Sequence, residues 1–358
     1  MRSSRAMQTP DVVQETPLSP TELYEGVLLG TAIGDALGLA CEGLSAGVIA
    51  KRFGRVDRYR LFASVGWVSD DTEQSALVAQ SIVRSRGETQ ACVRVFRRAL
   101  VGWFWRLPWG IGLATLRACL KLSIGLRSSG VNSAGNGAAM RSAILGAFHR
   151  HDQMRRREAA RAIASVTHGD PRAVEGAVFV ADVVAMRGGS RARLESARAR
   201  LEEPRLAIVI DRALALAEKG ARFEDAAEIL GTTGFVEHTL GMATFAFASR
   251  GGGPMERLLP AVIAVGGDTD SIGAIVGAWF GALHGPSGLP AAWRGALQRG
   301  PFGAAHLEAL ARDLAAIERG VDVPRPARFS WPLAMARNLA LYPIVLAHGL
   351  RRLAPPYG

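Results

Sequence analysis

Apolar residues return every three to four positions along most of this chain, the spacing that lines one face of a helix. Helical periods run over residues 22–39, 72–84, 89–105, 138–148, 155–165, 172–186, 191–201, 207–219, 223–230 and 236–248, and another follows an acidic cluster near position 270. Few stretches alternate Val, Ile, Thr and aromatic residues as half-buried strands do, while Ala, Leu and Arg fill the long segments. The pattern therefore predicts an all-α fold. Ser19 or Thr21 is placed to cap the first helix. With no linker or tandem repeat in view, the expected division is a flexible tail over 1–20, one helical domain over 21–320 and an apolar, basic extension over 321–358.

Two of the predicted helices are marked by glycine at one per turn. Gly26, Gly30, Gly34 and Gly38 form one run, and Gly273, Gly277, Gly281 and Gly285 the other. Each helical glycine costs roughly 1 kcal/mol relative to alanine, so four per helix demand an offset. Two smooth faces crossing at unusually short range, near the acidic residues, would supply it.

The apolar run over 329–353 is about as long as a membrane-spanning helix. Arg337, Asn338 and Pro343 inside it favour a helix packed on the domain or in a dimer contact. A basic amphipathic helix that seeks a membrane surface, ending on Arg351 and Arg352, is the other reading.

With 49% hydrophobic residues in 358, the chain can bury a large core, which excludes disorder for most of it. The net charge of +11 and pI near 10.6 suit an anionic partner. All but three of the 43 basic residues are arginine, however, a bias that GC-rich coding produces without selection. No zinc-finger or RNA-binding signature accompanies the charge, which argues against nucleic acid. Cys41, Cys92 and Cys119 lack Cys-x-x-Cys spacing, so neither a zinc site nor a disulfide framework is expected, and a reducing, cytoplasmic compartment fits. The first twenty residues are polar, with Pro10, Pro17 and Pro20, and lack the apolar core of a secretory signal.

Candidate chemistry lies in two similar clusters. Ser69-Asp70-Asp71-Thr72 and Asp268-Thr269-Asp270-Ser271 each place two carboxylates among hydroxyls at a predicted helix start. One such cluster is an ordinary N-cap. Two of them offer a hard, all-oxygen ligand set that selects Mg²⁺ or Mn²⁺ over zinc or copper, with room for a pair of ions. Gly135-Asn136-Gly137-Ala138-Ala139-Met140-Arg141 reads either as a plain turn or as a backbone phosphate cradle. Asp170 and Pro171 open a helix after His168, which either packs structurally or faces a ligand. Glu42 follows Asp35 near the same helix end and suits an acid or base, whereas Asp35 is expected to hold backbone.

In this order, Gly-Asp-Ala-Leu-Gly with Glu42, Ser69 to Thr72, Gly135 to Arg141, Thr167-His168 and Asp268 to Ser271 resemble the ADP-ribosylglycohydrolase family. The resemblance spans about residues 22–285. It implies a compact, orthogonal all-α bundle with two Mg²⁺ ions (or Mn²⁺) held by Ser69, Asp70, Asp71, Asp268, Asp270 and Ser271. It further implies that Gly135, Asn136, Gly137, Met140 and His168 approach ADP-ribose, and that Glu42, Asp71 and Asp270 take part in catalysis. The substrate it implies is an ADP-ribosylated protein or small molecule, cleaved at the glycosidic bond. A catalytically weak binder of ADP-ribose on the same fold is the competing reading.

Overall fold

Every fourth residue along the helix Pro20–Gly38 (α1) is a glycine whose missing side chain leaves room for the backbone of another helix, Thr269–His284 (α14). A Cβ at Gly26, Gly30, Gly34 or Gly38 would collide with the carbonyl of Gly281, Gly277, Gly273 or Thr269 respectively. The reciprocal collisions hold for Gly273, Gly277 and Gly281. The partner number falls by four as the residue number rises by four, so the two helices run antiparallel, backbone on backbone. The expected close approach is therefore present, but it extends over four turns and is not confined to a crossing near the acidic residues.

The computed structural model describes residues 17–353, so the expected tail lies outside the described residues as far as position 16. Ser19 caps α1 in a capping box with Glu22, which starts the helix inside the span read as tail. Between α1 and α14 run α2 (Ala46–Phe53), α3 (Asp70–Ser85), α4 (Thr89–Phe104), α5 (Leu113–Ser123), α6 (Ala143–Phe148), α7 (Gln153–Ala164) and α8 (Pro171–Ala185). They are followed by α9 (Ser190–Arg198), α10 (Pro204–Glu218), α11 (Phe223–Leu230), α12 (Val236–Arg250) and α13 (Met255–Ile263). After α14 come α15 (Ala291–Ala296), α16 (Ala304–Glu318) and α17 (Trp331–Leu353). Among the described residues β pairing is limited to five isolated bridges.

The α1–α14 pair is the centre of the bundle, buried nearly all round, with α16 and α3 against α1 and with α12 and α13 against α14. The apolar period does not single out α2, α5, α13, α15 or α16. The helix expected over 138–148 starts only at Ala143, because residues 136–138 form a single 3₁₀ turn and buried Arg141 donates to the Gly137 carbonyl at 2.9 Å.

Two helix starts are tied to the end of α1. Asp35 accepts from the Ser69 and Thr72 backbone N–H groups at 2.9 and 3.2 Å and from the Thr72 hydroxyl at 2.5 Å, which fixes the start of α3. Thr269 Oγ1 donates to the Gly38 carbonyl at 2.8 Å, which fixes the start of α14.

The extension α17 lies on the domain. Leu341 packs with Leu39, Ala40, Leu61 and Trp109 in a second apolar cluster. Asn338 donates to the Arg106 carbonyl at 3.0 Å, and Arg337 pairs with Glu73. Glu73 is buried, accepts from Trp103 Nε1 at 2.6 Å and is the only carboxylate paired with Arg106 among the described residues. The Arg106 guanidinium is held between the rings of Phe302 and Phe329, and its burial draws its pKa down to about 10.

Three outcomes follow from this packing. Gly277→Ala should lower unfolding stability by about 3 kcal/mol or more in urea titration, since its Cβ meets backbone that cannot yield. Gly102→Ala, in α4 with open space around it, should instead gain up to about 1 kcal/mol. Glu73→Gln leaves two buried guanidinium groups without their counter-charge and should cost about 3 kcal/mol in the same titration.

Candidate active site

The loop after α1 and the turn before α14 are stitched together. Gly43 N–H donates to the Gly267 carbonyl at 2.7 Å, and Gly267 N–H returns a bond to Leu44 at 3.0 Å. Gly266 and Gly267 both have positive φ, and a side chain on either would strike the Leu44–Ala46 backbone or Thr232. A second seam pairs residues 134–136 with 234–236, and a third pairs Val131 with His168.

These seams surround a cleft of about 620 Å³ that brings together residues from seven separate parts of the chain. Glu42, Asp70, Asp71, Gly135, Asn136, Gly137, Met140, His168, Asp268, Asp270 and Ser271 all line it. Ser69 stands just behind as the N-cap of α3. Its hydroxyl and that of Ser271 each donate to Asp71 Oδ2 at 3.2 Å, joining clusters two hundred residues apart.

The carboxylates are crowded and dry. Burial pushes the Asp70 pKa well above the usual range, and the charges of Asp35, Glu42, Glu73 and Asp268 push it further. Burial likewise raises Asp71, with Asp70, Asp35 and Asp268 adding to it, and raises Asp270, with Glu42, Asp268 and Asp71 adding to it. Asp35 rises to about 6, chiefly by burial, despite its hydrogen bonds. Asp71 Oδ1 and Asp270 Oδ1 are buried without a hydrogen-bond partner among the described residues. Two orphaned anionic oxygens of this kind call for a cation or a proton. As placed, no three His, Cys, Asp or Glu side chains among the described residues close around one point. The available oxygens therefore form a mixed carboxylate and hydroxyl set, completed by Ser69 and Ser271.

Asp70 and Asp268 are each held by a neutral partner. Gln74 Nε2 donates to Asp70 Oδ2 at 3.0 Å, and Asn136 Nδ2 donates to Asp268 Oδ2 at 2.5 Å and to Thr239 Oγ1 at 2.9 Å. Asn136 thus orients an acid through its side chain, while its own N–H is spent on the Gly234 carbonyl, so this N–H is not part of a phosphate cradle.

Arg141, fully buried over the Phe96 ring, organises the opposite wall. It donates to Gln74 Oε1 at 2.8 Å and to Thr167 Oγ1 at 2.6 Å, and Thr167 in turn meets His168 Nδ1 at 2.8 Å. The Thr167 hydroxyl thus accepts from Arg141 and is shared between His168 Nδ1 and the Ala164 carbonyl at 3.5 Å, which engages Nδ1 and leaves Nε2 of His168 on the cleft side. Burial, with the Arg141 charge, lowers the His168 pKa to about 3, so the ring is neutral.

Sequence reasoning did not pick out Gly110, Gly112, Leu113, Thr115, Thr233 or Gly234 on the rim, nor Gln74, Arg141 and Thr239 as supports. Thr232-Thr233-Gly234 before α12 and Gly110-Ile111-Gly112 before α5 are turn signals that could have flagged the rim. The supports carry no local mark.

Known proteins resemble this chain over most of its length. The ADP-ribosylglycohydrolase family pattern matches residues 16–323. An uncharacterised protein of Archaeoglobus fulgidus is 31% identical over 273 residues, covering 73% of this chain and 87% of that protein. An ADP-ribosylarginine hydrolase of Pseudomonas putida is 28% identical over 301 residues, covering 78% of this chain and 75% of that protein. A solved structure of an ADP-ribosylglycohydrolase-related protein complex superposes with a TM-score of 0.66 at 28% identity, over 84% of this chain and 99% of the other. With the matched span taking in both helix starts, the three seams and the cleft between them, this chain belongs to the ADP-ribosylglycohydrolase family and is an all-helical glycosidic-bond hydrolase.

Proposed function

We propose that this cleft removes ADP-ribose from a modified acceptor in a reaction that depends on Mg²⁺ or Mn²⁺, with a protein side chain as the acceptor. The observation that carries this reading is the pair of orphaned oxygens on Asp71 and Asp270, each on a helix start and joined through Ser271. Ser69, Asp70, Asp71, Asp268, Asp270 and Ser271 would hold two ions. When bound, such ions supply fixed positive charge that orients ribose hydroxyls and polarises water.

The chain's own groups account for the rest. His168 turns its Nε2 toward ADP-ribose as a neutral ring at every physiological pH, because burial keeps it from titrating there. Gly135 and Gly137 flank that ring so closely that a Cβ on either would touch it, which keeps the wall flat for a ligand. Glu42, half-buried on the rim, is placed to pass a proton to the departing acceptor, and the carboxylates beneath stabilise positive charge as it grows on the ribosyl carbon. The name of the Pseudomonas putida relative makes an arginine linkage the first acceptor to test.

Arginine-linked, serine-linked and nucleic-acid-linked ADP-ribose should be offered with Mg²⁺ or with chelator. Release is expected from a protein linkage with Mg²⁺, falling about a hundredfold or more in chelator and in Asp70→Ala. Binding of ADP-ribose with no release from any substrate would establish the binder reading instead.

Cation binding must expel protons from carboxyls whose pKa values burial has raised. The apparent Mg²⁺ affinity should therefore climb as pH rises from about 5 to 8, with proton release seen by calorimetry in two buffers. An affinity independent of pH would refute the assignment. The ion-free fold holds extra protons, so its stability declines as pH rises through these raised values. Asp270→Asn should accordingly melt above the wild type in chelator at about pH 8, lose that advantage near about pH 4, and gain nothing from added Mg²⁺.

A further inference from the structure

Residues 89–151 and 323–358 contain 14 Lys and Arg and not one Asp or Glu. The rest of the chain carries 29 Lys and Arg against 32 Asp and Glu, so the whole net positive charge resides in these two segments. They adjoin in the fold. Trp331 Nε1 donates to the Gly102 carbonyl at 2.9 Å, Asn338 to Arg106 at 3.0 Å and Tyr342 to Pro108 at 3.4 Å.

The same two segments, little more than a quarter of the chain, hold eleven of the seventeen large apolar side chains exposed among the described residues. On α17 these are Trp331, Leu333, Leu339, Leu346 and Leu350, and each of the four leucines is 49% to 64% exposed. At helical spacing the leucines fall with Ala336, Ala340, Pro343 and Ala347 on one stripe that contains no polar residue from position 333 to 350. Exposed Arg325 and Arg328 precede the stripe, and Trp105 and Leu107 stand exposed in the segment packed beside it. All of α17 lies beyond the family-matched span.

We propose that this face docks the protein on an anionic lipid surface, with the apolar stripe of α17 entering the interface and the arginines meeting lipid phosphates. An apolar helical face flanked by arginine and free of acids is the pattern such a surface binds. A second copy of this chain would bring like charge against like, and nucleic acid would leave the leucines in water. The helix lies on the bilayer and does not cross it, since Arg337 and Asn338 at its middle are engaged with Glu73 and Arg106. Among the described residues the one helix long and apolar enough to span a membrane is α1, and 94% of that stretch is buried in the fold. Leu113, exposed at the rim of the cleft, follows Pro108, whose carbonyl meets Tyr342 of α17.

Co-sedimentation of the full chain tests the proposal with vesicles of phosphatidylcholine alone and of phosphatidylcholine with about a third phosphatidylglycerol. The wild type should pellet with the anionic vesicles only, and less so as salt rises. The pairs Leu339→Glu with Leu346→Glu, and Arg325→Ser with Arg328→Ser, should each weaken this by about tenfold or more while keeping the wild-type thermal melt, since all four side chains are exposed. Failure of the wild type to pellet overturns the proposal, as does equal pelleting of the leucine variant. A wild-type dimer in sedimentation that the leucine pair converts to monomer would assign the face to a second copy. None of these readouts depends on hydrolysis, so the outcome is separate from that of the proposed reaction.

Discussion

Contact between the backbones of α1 and α14 is the constraint on which the rest of the structure depends. An ordinary helix pair is held 8–10 Å apart by its side chains. Here glycine on both faces lets carbonyl oxygens sit where Cβ atoms would otherwise be, turn after turn. The gain is position as well as packing. The end of α1 and the start of α14 are held in one place with no side chain between them, and Asp35 then binds the start of α3 to the same point. Two helix N-termini, each with partial positive charge, thereby open into a single cleft.

That convergence has an electrostatic cost, visible in the chain itself. Asp70, Asp71 and Asp270 are carried into a dry interior where each raises the pKa of its neighbours. Neutral amides, Gln74 and Asn136, take up one oxygen each from Asp70 and Asp268 without adding charge. Arg141, the buried cation nearest the acids, is kept one residue away behind Gln74. A direct Arg–Asp pair would have quenched the negative charge, whereas an amide relay orients the carboxylate and leaves the charge available. The fold therefore stores unfavourable carboxylate proximity in one cleft and compensates through the large apolar core around α1 and α14.

The segment after the matched span is joined to the site from behind. Leu341 packs on Leu39, Ala40 and Trp109, and Arg337 reaches Glu73, one turn along α3 from Asp70. An element outside the family pattern thus braces both the loop leading to Glu42 and the loop leading to the Gly110–Leu113 rim. Its outward face carries none of these duties and is the part of the surface richest in exposed leucine.

The sequence alone was enough for the helical class, the glycine helices and the acid clusters, because each is a short-range signal: a period of 3.6, a glycine every turn, or carboxylates and hydroxyls at a helix start. Asp35 as a backbone clamp could be read from its place beside those motifs, whereas His168 in the cleft wall was implied only by the family resemblance. Other features could not. The amphipathic helix α16 packs on α1 at the other end of the chain, and the supports Gln74, Arg141 and Thr239 become legible only through contacts such as Gln74 with Arg141 and Asn136 with Thr239, 67 and 103 residues apart. Tertiary structure decided that Asn136 grips an acid and does not lend its N–H to a phosphate, that Arg337 and Asn338 turn inward, and that residues 102–109 of one acid-free segment lie against the helix of the other. The physical reason is the same in each case. Periodicity records which side of a helix is buried, whereas the neighbour it is buried against is chosen by packing and by the need to satisfy every polar group taken out of water.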